Sequence, residues 1–201
     1  MKIIGLVGGI GSGKSTVARL VRKHADAFVI DVDRLGHEVL CQDEVKILVH
    51  ARWGAAPFGN DGEIDRHKMA EIVFSGTEEG NANLENLTAI SHPRIAELLK
   101  SRLETAKMAN RRLVLLDAPL LLESGWDRLC DAVIFIDAPE QVRRVRVLKR
   151  GWTFEEFQAR TANQLPLDTK RKASQWVIEN TCSLVELEQR VAAVLNQVLS
   201  F

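Results

Sequence analysis

The amino-acid sequence predicts an α/β fold of the phosphate-loop type, a three-layer arrangement of a parallel sheet between helices, with a helical insertion and a small lid. Three observations carry that expectation. A short apolar run at residues 3–7 stops at two glycines and leads into a helix-periodic segment, so the chain opens as strand, glycine loop, helix. Three further short apolar runs each end at an aspartate: 28–30 at Asp31, 113–116 at Asp117 and 132–136 at Asp137. Helical stretches separate these runs, and strands alternating with helices build a parallel sheet covered on both faces.

Each element has its own reason. Residues 3–7, Ile-Ile-Gly-Leu-Val, are continuously apolar, the pattern of a strand buried on both faces. After Lys14, the positions Val17, Ala18, Leu20 and Val21 keep helical spacing. The stretch from 34 to 111 is too long for one crossover helix; its helical pattern is interrupted by the turn-like Gly59-Asn60-Asp61-Gly62. It reads as a helical substrate-binding insertion of about residues 34–111. A basic helix over 139–149 follows the fourth run. The segment Gly151-Trp152-Thr153-Phe154 then breaks the pattern and starts a lid of about residues 150–174. Residues 176–178 are a candidate further strand. Ser183 and Glu186 form a capping box that opens a last helix, with its stripe of Leu187, Val191, Val194, Leu195 and Val198. The core is then 1–33, 112–149 and 175–201, all within a single domain.

Bulk properties exclude several classes. A chain of 201 residues, 46% hydrophobic and 27% charged, suits one soluble globular domain. Lys+Arg and Asp+Glu are both 27, so no overall field points to nucleic acid. No apolar run approaches a membrane span, and the N-terminal residues lack a signal-peptide layout. Cys41, Cys130 and Cys182 are odd in number and without CxxC spacing, which favours reduced thiols in a cytoplasmic protein over a zinc site or disulfide framework. The expected assembly is a monomer or weak oligomer.

Residues 8–16 carry the chemistry. Gly8-x4-Gly13-Lys14-Ser15 is a complete phosphate-loop pattern in its strand-to-helix setting. Glycines let successive N–H groups aim inward at an anion, and the helix N-terminus adds its positive end. Gly11, Ser12, Gly13, Lys14, Ser15 and Thr16 are the expected ATP-binding set, with Lys14 reaching the terminal phosphates and the Ser15 hydroxyl ligating Mg²⁺. The chain lacks an Asn-Lys-x-Asp segment that would read guanine.

Phosphoryl transfer also needs an acceptor base and further positive groups. Asp31 and Asp33 follow the second strand, at the carboxyl edge where open α/β sheets bind ligands. Asp33 reads equally as a base for an acceptor hydroxyl or as an N-cap of the helical stretch 34–40. Arg143, Arg144, Arg146, Lys149 and Arg150 read as cations closing over the phosphates or as a solvated helix face. Arg146 and Arg150 are four apart, so they share a helix face and could act together. Asp117 reads as a metal-side acid or as a turn cap. These features leave a kinase acting on another hydroxyl acceptor, or an ATP-dependent switch, as rivals.

Several segments in series resemble the dephospho-CoA kinase family. They are the 8–15 loop, 29–39 (Val-Ile-Asp-Val-Asp-Arg-Leu-Gly-His-Glu-Val), 61–66 (Asp-Gly-Glu-Ile-Asp-Arg) and 90–95 (Ile-Ser-His-Pro-Arg-Ile). Asp117-Ala-Pro-Leu-Leu-Leu-Glu123, Arg146 with Arg150, and Val177-Ile-Glu-Asn180 complete the series. The resemblance runs along essentially the whole chain. It implies transfer of the ATP γ-phosphoryl group to the ribose 3′-hydroxyl of dephospho-CoA. It implies Asp33 as the base, Lys14 and Arg150 as phosphate stabilisers, Ser15 as Mg²⁺ ligand and Asn180 on the nucleotide side. His92 falls in the His-Pro segment of the CoA-binding insertion, with a helix-starting His-Pro pair as the alternative. Arg160 and Gln164 fall in the lid. The chain departs from the family pattern at Gly151, where an acidic residue is usual, at Ser174-Gln175 and at Cys182.

Overall fold

The computed structural model describes residues 1–200. In chain order the elements are β1 (Lys2–Gly8), α1 (Lys14–Ala25), β2 (Phe28–Asp31), α2 (Val32–Leu40), α3 (Asp43–Trp53), α4 (Arg66–Val73) and α5 (Glu78–Met108). They continue with β3 (Leu113–Asp117), β4 (Ala132–Asp137), α6 (Glu140–Leu148), α7 (Phe154–Ala162), α8 (Leu167–Lys172), β5 (Trp176–Glu179) and α9 (Leu184–Ser200). The run at 176–178 is therefore a strand. The box at Ser183 and Glu186 does open α9: Glu186 accepts from the Ser183 backbone N–H at 2.9 Å and donates its own N–H to Ser183 Oγ at 3.3 Å.

The five strands are parallel in the order β2-β3-β1-β4-β5, so their carboxyl ends share one edge. Asp117 is in register with Leu6 of β1 and with Asp31 of β2. Two carboxylates thus end neighbouring strands beside the one that feeds the glycine loop.

Apolar burial holds the sheet in place. Val17, Leu20 and Val21 of α1 and Leu187, Val191, Leu195 and Val198 of α9 pack with Ile4, Leu6, Leu115, Ile134, Ile136 and Ile178. Each fully buried Leu, Ile or Val contributes roughly 1.5–3 kcal/mol. The helical stripes read from sequence are these faces.

The chain divides into two compact units, Met1–Asp31 with Leu103–Phe201, and Val32–Arg102. The helical unit begins two residues before the expected insertion and ends nine before its expected end, because α5 continues unbroken past Arg102 and its Ala106 is wholly buried. The 59–62 turn is present, with Phe58 bridged antiparallel to Ile64. Asp65 caps α4, accepting from the backbone N–H groups of His67 at 2.8 Å and Lys68 at 3.3 Å. Those two bonds hold its carboxyl below the usual carboxylate range. Pro93 lies inside the 31-residue α5, so the His-Pro pair does not start a helix. Nearby side chains bond carbonyls of the same stretch: Ser91 Oγ to Leu87 at 2.8 Å and Arg94 Nη1 to Ile90 at 2.9 Å. No helix among the described residues is long and apolar enough to cross a membrane.

Candidate active site

The loop after β1 turns through Gly13, whose φ of 96° places it in the left-handed region. A Cβ there would lie 2.1 Å from Asn180 Nδ2, so only glycine fits on both counts. Gly13 is the N-cap of α1; no side chain caps that helix and no acidic residue occupies its first turn. The positive end of α1 is thus without a negative side chain of its own, the condition for holding an anion. Ser12 is buried, its N–H donating to the Gly9 carbonyl at 3.0 Å. Ser15 is exposed, and Thr16 closes the first turn through its N–H to the Gly13 carbonyl at 3.0 Å. Lys14 Nζ donates to the Gly8 carbonyl at 3.0 Å, folding the ammonium over the loop.

Remote side chains brace this loop. Arg146 Nη1 donates to the carbonyls of Gly11 at 3.4 Å and Ser12 at 3.1 Å, while its Nη2 donates to the Asn180 carbonyl at 2.9 Å. Asn180, 5% exposed, sends Nδ2 to the Ser12 carbonyl at 2.7 Å and its backbone N–H to the Asp137 carbonyl at 2.7 Å. A trans peptide points its C=O and the next N–H in opposite directions. Drawing the Ser12 carbonyl toward Arg146 and Asn180 therefore turns the Gly13 N–H the other way. Asn180, expected on the nucleotide side, commits its amide to shaping the phosphate loop.

The basic helix is not the uniform cluster that sequence suggested. α6 ends at Leu148, and Arg150 lies in the exposed turn beyond it, so Arg146 and Arg150 do not share a continuous helix face. Arg146 is also no part of a flap, being bonded to the loop itself. Arg143 is 3% exposed, so the solvated-face reading fails for it; burial pushes its pKa down. Arg144 is exposed and lies over the Phe154 ring at 4.5 Å.

The segment after Arg150 is fastened at several points. Thr153 and Glu156 form a capping box on α7, and Arg160 stacks on Trp152 at 4.3 Å. Lys170, wholly buried, pairs with Glu123 at 2.8 Å and donates to Gln164 Oε1 at 3.3 Å. Glu123 Oε1 also accepts the Leu165 N–H at 2.9 Å. Glu123 and Lys170 received no role from sequence. A lysine that is buried signals its partner only when the fold is known.

Asp117 is half-buried at the end of β3. Asp33 is exposed within the first turn of α2, whose first residue is Val32, so it is not the N-cap of a helix starting at 34. His92 is half-buried in α5, and burial pushes its imidazole pKa down. Asp33 and His92 belong to the helical unit; Lys14, Asp117, Arg146, Arg150 and Asn180 belong to the sheet unit. No cluster of three or more His, Cys, Asp or Glu able to hold a metal occurs among the described residues. The Ser15 hydroxyl and the Asp117 carboxylate are hard oxygen donors, the type that suits an ion that keeps waters and takes the rest of its ligands from phosphate.

Comparison with known proteins agrees with this chemistry. The family model described as dephospho-CoA kinase matches residues 2–186. A dephospho-CoA kinase of Thermus thermophilus is 39% identical over 200 residues, covering 98% of this chain and 91% of the relative. One of Dehalococcoides mccartyi is 34% identical, covering 99% and 98%. A solved crystal structure from Thermus thermophilus superposes with a TM-score of 0.82 at 37% identity, covering 98% of this chain and 97% of that one.

Proposed function

This chain belongs to the dephospho-CoA kinase family, and we propose on that premise how its own residues divide the work. The reaction is ATP-dependent phosphorylation of a hydroxyl of dephospho-CoA to give coenzyme A, the last step of coenzyme A synthesis. The observation that carries the residue assignment is the 8–16 loop, braced by Arg146 and Asn180 at the sheet edge where Asp31 and Asp117 end their strands.

Gly11, Ser12, Gly13, Ser15 and Thr16 bind the ATP phosphates through the loop and the α1 N-terminus, with Lys14 on the terminal groups. Arg150, exposed beyond α6, is the second cation for the transferring group. Arg146 and Asn180 serve by holding the loop's shape. Ser15 and Asp117 would hold Mg²⁺, which supplies charge neutralisation at the phosphates when bound. Asp33 orients the ribose 3′-hydroxyl and accepts its proton. His92 and the helical unit bind the acceptor, and the 150–174 segment excludes water from the reacting groups. A cytoplasmic monomer or weak oligomer is the working form; the free thiols Cys41, Cys130 and Cys182 support a reducing compartment.

Coupled ADP release with ATP and dephospho-CoA tests the assignment. Asp33→Asn is expected to lower kcat about 10²–10⁴-fold while ATP binding changes by less than about twofold. Unchanged turnover removes Asp33 from the mechanism.

A further inference from the structure

Arg143 is a cation buried in α6 with no role in the assignment above. It is 3% exposed, yet among the described residues it makes no salt bridge. Its bonds go elsewhere: Nε donates to the Ala138 carbonyl at 3.1 Å and Nη1 to the Ile10 carbonyl at 3.4 Å. Its guanidinium also lies 5.5 Å from the ring centroid of Phe157, which is 2% exposed on α7.

The phosphate loop is moulded around this residue. A Cβ on Gly9 would lie 2.8 Å from Arg143 Nη1 and 3.1 Å from Leu167 Cδ2 of α8. A Cβ on Gly11 would lie 2.6 Å from the Arg143 carbonyl oxygen. The loop therefore presses against α6 at Gly11 and against both Arg143 and α8 at Gly9. Holding the Ile10 carbonyl toward Arg143 turns the Gly11 N–H the opposite way, by the same peptide geometry that Arg146 imposes at Gly13.

We propose that Arg143 is a positioning residue that couples α7 to the phosphate loop, its guanidinium holding both the Ile10 carbonyl and the Phe157 ring. A desolvated guanidinium with no carboxylate in ion-pair contact, only the more distant charges of Glu140 and Asp137, depends on its carbonyls and on the aromatic ring for the rest of its compensation. When α7 is seated, Phe157 completes that compensation and the loop conformation that presents the Gly11 N–H is favoured. When α7 lifts, the cation loses the ring and the Ile10 carbonyl is held less firmly. The position of the 150–174 segment is thereby felt by the ATP phosphate site through Arg143.

The inference rests on the reading of 8–16 as the ATP phosphate site, which calorimetric titration of the unaltered chain with ATP checks separately. The coupling itself is tested with Arg143→Gln, Phe157→Leu and the double variant. Each single change is expected to raise KM for ATP about fivefold, with KM for dephospho-CoA moving less than about twofold. The double variant is expected to show about the same fivefold rise as either single variant, because both remove one interaction. A double variant whose rise is the product of the singles overturns the coupling, as does an equal rise in both KM values. Should Arg143→Gln not fold, the same cycle with Arg143→Lys decides by the same criterion.

Discussion

The phosphate loop and the 151–174 segment begin alike and are held differently. Each passes through a glycine with positive φ ahead of a helix, Gly13 at 96° and Gly151 at 88°. The turn at Gly13 combines its own bonds, Ser12 N–H to Gly9 and Thr16 N–H to Gly13, with remote braces: Arg146 and Asn180 on the Ser12 carbonyl and Arg143 on the Ile10 carbonyl. The segment after Gly151 has its own capping box at Thr153 and Glu156 and is tied to the fold through Arg143 at Phe157 and Glu123 on Leu165 and Lys170. A Cβ added at Gly13 would meet Asn180 Nδ2 at 2.1 Å, whereas one added at Gly151 would meet nothing within 4 Å. That difference makes the turn at Gly13 a closely packed cradle and the turn at Gly151 an open one.

Removing the cradle's charge is expected to have the largest effect. Lys14→Ala should lower kcat by about 10²–10³-fold at saturating substrates with the thermal midpoint little changed, read by ADP release and a melting curve. A small kinetic loss would mean that Arg150, rather than the loop, carries the transferring charge. On the other side of the comparison, Lys170→Ala strips Glu123 of its buried partner. It should cost about 3 kcal/mol in urea unfolding. Replacing the pair together, Lys170→Met with Glu123→Leu, should cost less than Lys170→Ala alone, since no lone charge stays behind.

The two glycines sharpen the contrast further. Gly13→Ala meets both a left-handed backbone and Asn180 Nδ2, and should cost about 2 kcal/mol with a parallel loss of ATP affinity. Gly151→Ala meets nothing within 4 Å, so only the backbone term of about 1 kcal/mol remains, with ATP affinity kept. Equal losses of ATP affinity at the two sites would erase the distinction between cradle and segment.

The smallest effect belongs to the helical unit. Burial lowers the pKa of His92 below its ordinary 6.5, so the folded protein prefers the neutral ring and the unfolded chain binds the proton first. Stability should therefore fall as pH drops below about 6.5, and His92→Gln should flatten that part of the profile in urea titrations between about pH 5 and 7. A profile unchanged by the substitution would assign the slope to other groups.

Most of the fold was legible because its signals are short-range. The runs ending at Asp31, Asp117 and Asp137 each became a strand, and 176–178 became the fifth. Boundaries were legible only where a cap or turn marks them, as at Ser183 and at the 59–62 turn. The end of the helical unit carries no such mark, since α5 runs on beyond Arg102 in one rod. Within the site, Gly13, Lys14 and Ser15 announced themselves by spacing. Arg143, Arg144 and Arg146 look equivalent as letters, and nothing local tells a buried guanidinium from a solvated one. Asn180 is placed on the nucleotide side by resemblance alone; its bond to the Ser12 carbonyl appears only in the fold.

By itself the sequence determined that a glycine loop joins a buried strand to an amphipathic helix, and with it the site for ATP phosphates. Periodicity and glycine placement act over a few residues, so they survive being read along a line. Only the tertiary structure decided which cations brace that loop, that Arg146 and Arg150 part company at the end of α6, and that Lys170 is a buried partner of Glu123. Those outcomes depend on desolvation and on hydrogen-bond reach across 34 to 168 residues of chain, and such distances are set by packing rather than by order in the sequence.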